Sequence, residues 1–424
     1  SSAANTITFR AQSGNAADVV LAPAAATDAA TNYIAQLSNA GFVTFRNLTF
    51  TPGTGTNFNR AIHVINRADD LTFENLVITL PATTSVTEDR TAILARPSIS
   101  TNIRFINNTI TGGSHGIIHI GNSTVRSPGT VFTGNTITNV YARPVYLEYM
   151  QDIIFNDNTI STTTAYSDYY GAGIQNTSGY LEMLRNRITG STGHAVRMQY
   201  CSGLEAQPSI IANNFFHSNS SYSTLYILYG LTYTNIYHNS VNNTSSGEAF
   251  HFNRWQSTGN RIVNNIFKAN TGFAVEFQTS SVVNSILESN YNNLFTSGSF
   301  LVRDVSTSYG TLEQWRTASG FENNSVIFDP QYASNTSLYA SAPGIASAGK
   351  NLLAVVPTDI DNVSRTATPS LGANQYSAAA LTPLSGTYTI GTGAFNYQTI
   401  NAAIDAMKVN GISGPVTFLL NSQT

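Results

Sequence analysis

Polar and aromatic side chains recur at alternate positions on short strand-like runs in the middle of the chain. Taking alternate residues as outward-facing predicts two columns, the first being His63, His119, Tyr146, Gln175, Arg197, Tyr226, His251 and Glu276, and the second Glu148, Gln199, Leu228, Asn253 and Gln278. Tyrosine and histidine rings stack on sugars, while amide, guanidinium and carboxylate groups hydrogen-bond to hydroxyl groups. The sequence therefore predicts a glycan-binding face, with candidate residues His119, Tyr146, Glu148, Gln175, Arg197, Tyr226, His251 and Glu276.

Two other interpretations of these columns stay open. Any outward sheet face must be polar, so a purely structural face also explains them. The second interpretation is a carbohydrate lyase or hydrolase, with Glu148 and Glu276 as the best candidate carboxylates. However, the acidic residues are scattered, and no G-x-S-x-G, H-E-x-x-H or phosphate-binding glycine loop occurs. We therefore predict a protein that is not an enzyme, with no catalytic residue, no metal site and no cofactor.

The runs that carry these columns belong to an internal repeat. Ten aligned segments extend from "FRNLTF" at 45–50, through "FINNTI" at 105–110, to "NYNNLF" at 290–295. Each unit contains short runs with alternating apolar residues, which indicate half-buried strands. One such strand cannot bury its inner face alone, whereas stacked copies can. The repeat predicts an all-β fold, a right-handed parallel β-helix of about ten or more coils that lie about 4.8 Å apart.

An asparagine recurs in each unit from the third onward, at intervals of 23 to 28 residues. The aligned residues are Asn108, Asn135, Asn158, Asn186, Asn214, Asn239, Asn265 and Asn293. Pointing inward at a bend, each side chain can hydrogen-bond the next asparagine and the turn backbone. Asparagine also tolerates the left-handed conformation that a sharp bend needs. The spacing predicts an asparagine ladder that begins at Asn108, after Leu48 and Leu76 in the first two units.

The repeats resemble those of pectate-lyase-like right-handed β-helix proteins over about residues 5–376. The segments "YGTLEQWRTASGFENNSVIFDPQY" (309–332) and "DIDNVSRTATPSLGANQY" (359–376) are similar to closing segments of β-helix modules in large Bacteroidota surface proteins secreted by the type IX system. Those modules often end in D-I-D-G…R…P-D-I-G-A-x-E. Asn362, Ser370 and Gln375 stand here in place of Gly, Asp and Glu. The resemblance implies an extracellular, cell-surface adhesin module.

The last part of the chain is similar to the start of such modules. "GTYTIG" at 386–391 and "GPVTF" at 414–418 are typical of a module's first helix and strand, which "NTITF" commonly follows. In this chain "NTITF" stands at 5–9, so the order is rotated. The residues also predict a capping helix, with Asn396 as N-cap and a stop at Asn410-Gly411. A helix followed by a strand is suited to covering an open terminal coil.

We predict three parts: a β-helix with its closing segment at 1–376, a linker at 377–385, and at 386–424 the cap of a following module or a neighbouring molecule. The linker spans at most about 35 Å, whereas about ten coils form a rod of about 45–50 Å. The cap therefore cannot reach its own first coil. Its predicted interface residues are Ile400, Ile404, Met407, Val416 and Phe418. The alternative is a helix packed on the coil end that it follows.

Composition narrows the function further. Charged residues make up 10% of the chain, net charge is −3, and only three residues are lysine; about 25% charged residues is typical. The slightly negative net charge predicts no nucleic-acid partner. The sequence contains no apolar run of about 20 residues, so membrane insertion is not expected. The single cysteine, Cys201, is expected to be a small buried apolar residue. Low charge with abundant Ser, Thr and Asn favours an extracellular protein that associates head to tail with similar modules and contacts surface polysaccharide.

Overall fold

A computed structural model describes residues 1–55, 57–162, 166, 169–190, 192–279, 284–378, 382–393 and 395–421, without the side chains of residues 401, 405, 408 and 409. The strands in these ranges are β1 (Ile7–Arg10), β2 (Val20–Leu21), β3 (Ala35–Arg46), β4 (Thr49–Phe50), β5 (Ile62–Glu74), β6 (Val77–Thr79), β7 (Thr91–Thr101), β8 (Arg104–Ile106), β9 (Thr109–Thr111), β10 (His115–Ile120), β11 (Ser127–Pro128), β12 (Val131–Thr133), β13 (Thr136–Thr138), β14 (Arg143–Glu148), β15 (Met150–Asn156), β16 (Thr159–Ser161), β17 (Tyr170–Leu184), β18 (Arg187–Thr189), β19 (His194–Ser202), β20 (Ser209–Ala212), β21 (Phe215–Ser218), β22 (Leu225–Tyr229), β23 (Thr234–Tyr237), β24 (Ser240–Asn243), β25 (Phe250–Asn253), β26 (Asn260–Val263), β27 (Ile266–Ala269), β28 (Val275–Gln278), β29 (Ile286–Asn290), β30 (Asn293–Thr296), β31 (Val302–Asp304), β32 (Thr307–Tyr309), β33 (Leu384–Ile390) and β34 (Ile412–Leu420). The helices are α1 (Leu312–Ser319) and α2 (Ile400–Asn410), with 3-10 turns at Ala16–Asp18, Glu88–Arg90 and Pro343–Ile345.

The strands stack into three parallel sheets, one strand from each coil. The first sheet begins with β1, which pairs with the second half of β3. The second is an 11-stranded sheet that runs from β2 to β30. The third begins with the first half of β3 and runs in parallel to β31, to which β32 adds as one antiparallel strand. This architecture is a right-handed parallel β-helix with a small helix-and-strand unit near the C-terminus, so the predicted fold class is confirmed.

The interior is filled by columns of identical or similar apolar side chains, because the parallel strands stack in register. In the first sheet Phe45, Phe73, Phe105, Phe132 and Phe155 form a phenylalanine column with ring centroids 5.0 to 6.2 Å apart. Such pairs add about 0.5–1.5 kcal/mol each beyond the burial of their area. The rod interior is therefore packed, and any ligand site must lie on its outer faces or its ends.

The bend between the first and second sheets contains the asparagine ladder. Along it, each Oδ1 accepts hydrogen bonds from the backbone N–H and Nδ2 of the asparagine one coil earlier, as in Asn158 to Asn186, both at 3.0 Å. Each Nδ2 also donates to a carbonyl of the preceding coil, such as Asn186 to Phe155 at 2.8 Å. At the start, the Leu76 N–H donates to Asn108. The left-handed residue is the one before each ladder position, for example Arg185 with φ 55°.

The ladder differs from the prediction at its last position. Asn265 donates to Asn292, not to Asn293, and Asn293 instead bonds the backbone of Phe328. The pairing of β26 with β29 shifts register between Asn260 and Arg261. After this shift Val263 pairs with Asn290 and Ile266 with Asn293, which leaves Asn292 as the partner of Asn265, so the assignment of Asn293 to the ladder was wrong.

A helix inside the chain closes the C-terminal end of the rod. The α1 helix begins at the N-cap Thr311, whose side chain accepts from the Gln314 N–H in a capping box. It places Trp315, 2% exposed, over Phe277 with ring centroids 5.4 Å apart. Behind it, the buried Glu322 accepts hydrogen bonds from Asn292, Ser289 and Ser325, and so satisfies the free end of the ladder. The last coil is thus already covered.

The closing segment runs back along the outside of the second sheet. Arg365, 6% exposed, donates to the Asn213 side chain at 2.7 Å and to backbone carbonyls of its own segment. Asp359 is also buried and accepts hydrogen bonds from three backbone N–H groups. Asn362 adopts φ 62° where the resembling modules carry glycine, a conformation open to both residue types. The segment is therefore held by buried hydrogen bonds.

The C-terminal unit is a small β-α-β arrangement. β33 and β34 pair in parallel, with Tyr388 opposite Phe418, and α2 lies beside β33 and the turn Pro343–Ile345. The N-cap of α2 is Thr399, which accepts from the Ala402 N–H. The prediction of Asn396 was wrong, because its Oδ1 instead accepts from the Thr389 N–H. In the described part of the chain, neither helix has the length and apolar character of a membrane span.

Candidate functional site

The outward face of the third sheet contains most of the predicted site residues. Strand register defines its first column as His63, Leu94, Ile118, Tyr146, Gly173, Arg197, Tyr226, His251, Glu276 and Arg303. The second column places Glu148, Gln175, Gln199 and Tyr229 in line, and Asn253 beside Gln278. The first column is therefore apolar at Leu94 and Ile118, after His63, and is polar or aromatic from Tyr146 onward except at Gly173.

Three predicted positions differ from this register. His119 pairs with Ala95 and Leu147, is fully buried, and lies 3.3 Å from the Ser100 hydroxyl, so its outward assignment was wrong. Burial lowers its pKa to about 3. A one-residue change of frame turns every side chain to the other face. The run "HGIIHI" has an isoleucine in both frames, and its two histidines share the frame that faces inward. Gln175 belongs to the second column, and a register shift after Met198 brings Tyr229, not Leu228, opposite Gln199.

Glu148 lies in a satisfied cluster of its own. It accepts hydrogen bonds from the Tyr146 hydroxyl and from Asn176, each at 2.8 Å. Its strand β14 is five strands away from β28 along the stack, and therefore about 24 Å from Glu276. Paired carboxylates of glycosidases stand about 5–10 Å apart. Glu148 and Glu276 consequently cannot act on the same glycosidic bond.

The structure brings a different carboxyl group to Glu276. The Nη2 of Arg303 lies 2.6 Å from Glu276 Oε2 and 3.5 Å from Glu248 Oε1, and so bridges the two. His251 Nδ1 lies 3.4 Å from Glu276, and the Ser223 hydroxyl donates to Glu248 at 2.8 Å. Sequence reasoning missed Glu248 because it precedes β25 and belongs to no column. The only sequence signal was its position three residues before His251.

The two carboxyl groups of this cluster have their pKa values moved in opposite directions. Burial and the negative charge of Glu276 raise the pKa of Glu248. Burial alone would raise the pKa of Glu276 as well. Hydrogen bonds and positive charge from His251 and Arg303 outweigh that effect and lower it to about 2. The pair therefore combines a carboxyl group that retains its proton easily with one that stays ionised in acid.

Replacing Glu276 with glutamine is expected to weaken the acid sensitivity of the fold. A pKa of about 2 lies below the ordinary 4.5. Ionised Glu276 therefore stabilises the protein above about pH 4.5, and this contribution is lost as the pH falls towards about 2. Wild type should lose on the order of 1–2 kcal/mol more than Glu276→Gln between about pH 6 and pH 3. Urea unfolding at both pH values measures this difference.

Two control variants are expected to behave differently from Glu276→Gln. Glu248 has a raised pKa, so its ionisation opposes folding, and Glu248→Gln should increase stability at neutral pH. The exposed Glu313 makes one distant ion pair within α1, so Glu313→Gln should reproduce the wild-type pH profile. Equal acid sensitivity in Glu276→Gln and wild type would show that the cluster does not hold its charge in the folded protein.

An exposed aromatic cluster adjoins the second column. The rings of Tyr200, Tyr229 and Trp255 have centroids 5.2 to 6.4 Å apart on successive coils, and Trp255 is 43% exposed. Gly230 has φ 60°, and a Cβ there would lie 2.8 Å from the Tyr200 ring. This cluster was not predicted, because Tyr200 and Trp255 lie outside the predicted columns and Tyr229 enters the second column only through the register shift after Met198. Its signal is an aromatic residue that recurs at the coil spacing.

A second aromatic group borders the opposite side of the same face. His194 stacks on Tyr226 with centroids 4.5 Å apart, and Tyr222 lies beside it at 5.5 Å. Between the two groups lie Arg197 and Gln199 at outward positions. Aromatic surface beside hydrogen-bonding groups suits the alternating C–H and hydroxyl faces of sugars. The outward face thus combines aromatic rings with hydrogen-bonding groups on successive coils.

The N-terminal end of the rod is open. Within the described residues β1 pairs with β3 alone, so its other edge has unpaired backbone groups. Ile7 and Phe9 are 44% and 49% exposed, although they continue the inward columns of Val43 and Phe45. Exposed apolar strand edges are sites of association.

The C-terminal unit presents a complementary feature. β34 pairs with β33, and Ile412, Leu419 and Leu420 on it are more than half exposed. Of the predicted interface residues, Ile400 and Ile404 are exposed on α2, whereas Met407, Val416 and Phe418 are partly buried. The exposed part of the predicted interface is therefore on the helix, whereas the exposed apolar residues of β34 are others than those predicted.

A match to a known family model agrees with this fold. Residues 32–207 match a family model described as "Right handed beta helix region". A solved structure described as "The complex structure of XylC with xylose" aligns with 78% of this chain at 12% identity and a TM-score of 0.39, and the alignment spans 66% of that chain. No curated protein sequence matches. Among the described residues, no group of three or more His, Cys, Asp or Glu side chains is arranged to hold a metal ion.

Proposed function

We propose that the protein is a non-catalytic structural module of extracellular rods, in which β-helices join end to end and the outward face contacts glycans. The observation that carries this proposal is the difference between the two ends of the rod. The last coil is closed by α1 and Trp315, whereas the first coil leaves Phe9 49% exposed. The C-terminal unit supplies an apolar strand and helix outside the rod. The first coil thus has exposed apolar surface, and the C-terminal unit of another copy has the apolar strand and helix that could cover it.

The proposal is supported by the character of the rod itself. Its sheets are held by in-register core columns and a buried asparagine ladder, which suit a rigid spacer. The aromatic and amide groups beside Arg197 suit a neutral or weakly charged glycan more than a nucleic acid. Such a module extends reach from a surface and presents its long side to ligands.

Sedimentation of the purified chain tests the proposal. Mass should rise with protein concentration, and electron micrographs should show particles that lengthen without becoming wider. Growth in width, with rods side by side, would contradict end-to-end joining. A single monomer at all concentrations up to about 100 μM would also contradict it, because specific interfaces form at or below this range.

A hydrolase acting at the Glu248–Glu276 cluster is the second candidate function. The opposite pKa shifts of these two neighbouring carboxyl groups favour it, since such a pair can divide acid and base roles. Incubation with pectin, alginate and host glycans, followed by reducing-end assay, tests it. Cleavage that Glu276→Gln abolishes would establish this function, whereas binding without cleavage would support the structural one.

A further inference from the structure

We infer that β34 of one copy adds as a parallel strand to β1 of a second copy, with Val416, Thr417 and Phe418 paired with Ile7, Thr8 and Phe9. This inference rests on the proposed end-to-end function and specifies its partner and register. The partner is a second copy of this chain, and the contact forms one additional rung of the first sheet.

The register follows from a triplet shared by the first strands of the rod. The triplets Ile7-Thr8-Phe9, Val43-Thr44-Phe45 and Leu71-Thr72-Phe73 are stacked residue by residue. Each places an aliphatic residue and a phenylalanine inward, with threonine outward between them. Val416-Thr417-Phe418 repeats this pattern on β34, which lies outside the rod. In the burial pattern of β34, Val416 and Phe418 are also less exposed than Thr417.

The aromatic rings favour this register over neighbouring ones. Phe9 stacks on Phe45 with ring centroids 5.0 Å apart, and Tyr388 lies opposite Phe418 at 5.9 Å. Pairing Phe418 with Phe9 joins these two pairs into one column that continues into the rod. A slip of one residue would turn Phe418 outward, and a slip of two would place Val416 or Leu420 opposite Phe9 and break the aromatic column.

Strand addition also pairs free backbone groups and buries exposed apolar side chains at both ends. The free N–H and C=O groups of β1 gain partners from β34, as at other parallel edges. The exposed side chains of Ile7 and Phe9 become buried against the added strand, which is favourable because apolar surface is removed from water. Ile400 and Ile404, 51% and 36% exposed on α2, lie in the same unit and add apolar surface to the cover. Both strand pairs are already parallel, so the joined sheet keeps one direction.

A disulfide between copies tests the register. Thr8 and Thr417 are both exposed, so Thr8→Cys and Thr417→Cys can be combined in one full-length chain. Paired residues of adjacent strands lie about 4.8 Å apart, within disulfide range. Cys201 is buried, and burial raises the pKa of its thiol to about 11, so it stays out of thiol exchange. Mild oxidation should produce a ladder of covalent oligomers on a non-reducing gel.

The matched control combines Thr8→Cys with Leu419→Cys. Leu419 is exposed on the same side of β34 but two residues further on, which places the cysteines about 8 Å apart, beyond disulfide range. We expect roughly tenfold more covalent oligomer from the Thr417 pair. A ladder from the Leu419 pair instead would overturn the register while the end-to-end function stands.

Two further outcomes separate the inference from the function. Elongated particles that neither cysteine pair can cross-link would show joining by another contact, which rejects strand addition alone. An intramolecular disulfide, seen as a monomer that has lost its two engineered thiols, would place β34 on its own first coil and reject the second copy as partner. A chain that neither associates nor cross-links would reject both proposals.

Discussion

Replacing Phe9 with aspartate is expected to abolish end-to-end association while the rod itself stays folded. Phe9 lies in the outermost rung, stacks on Phe45 and is 49% exposed, so the monomer loses little packing. In the joined state the same position is covered. A carboxylate there would be buried without a partner, which costs several kcal/mol. We expect the dissociation constant to increase at least about 100-fold, equivalent to about 2.7 kcal/mol.

Sedimentation at several concentrations measures this effect, with circular dichroism as the check on folding. Val125→Asp is the matched control, because Val125 is 55% exposed on a side loop away from both ends. That variant should associate like wild type. Equal loss of association in both variants would point to general charge repulsion. Unchanged association in Phe9→Asp would show that the first coil is not the joining surface.

Replacing Asn186 with alanine is expected to cause a large loss of stability. The change removes the Oδ1 that accepts from the backbone N–H and Nδ2 of Asn158. It also removes the Nδ2 that donates to Asn214 and to the carbonyl of Phe155. All these groups are buried, and each unsatisfied one costs about 1–3 kcal/mol. Partial rearrangement leaves an expected loss of about 3–5 kcal/mol.

The urea midpoint of unfolding, followed by circular dichroism, measures this loss. Thr159→Ala is the control, because Thr159 occupies an exposed position on β16, immediately after the neighbouring ladder residue. Its effect should stay within about 0.5 kcal/mol. A loss for Asn186→Ala as small as that of the control would mean that the ladder follows from the fold and does not stabilise it.

The fold and most of the ladder were predictable because both depend on short local patterns. Alternation of polar and apolar residues requires a half-buried strand, and repetition of one unit requires stacking. Seven of the eight predicted ladder residues take part in the Asn-to-Asn bonds, from Asn108 to Asn265. The prediction failed at Asn293, because the adjacent Asn292 and Asn293 allow two alignments and only the strand register selects Asn292.

The candidate site was predictable only in part. The outward positions of Arg197, Tyr226, His251 and Glu276 followed from strands whose two faces differ in polarity. The position of His119 did not follow from its strand, because the strand has isoleucine in both frames and the frame with the two histidines is the buried one. The tertiary structure alone decided that Glu248 meets Glu276 through Arg303.

The aromatic cluster of Tyr200, Tyr229 and Trp255 depended on the tertiary structure in the same way. The turns between coils vary in length, so the neighbours of a turn residue are set by the coil above and below, not by its position in the chain. The alternation of apolar residues within each strand and the repetition of the unit therefore determined this protein's architecture and its core columns. Contacts between coils, which carry the candidate chemistry, were decided by how the turns bring distant residues into register.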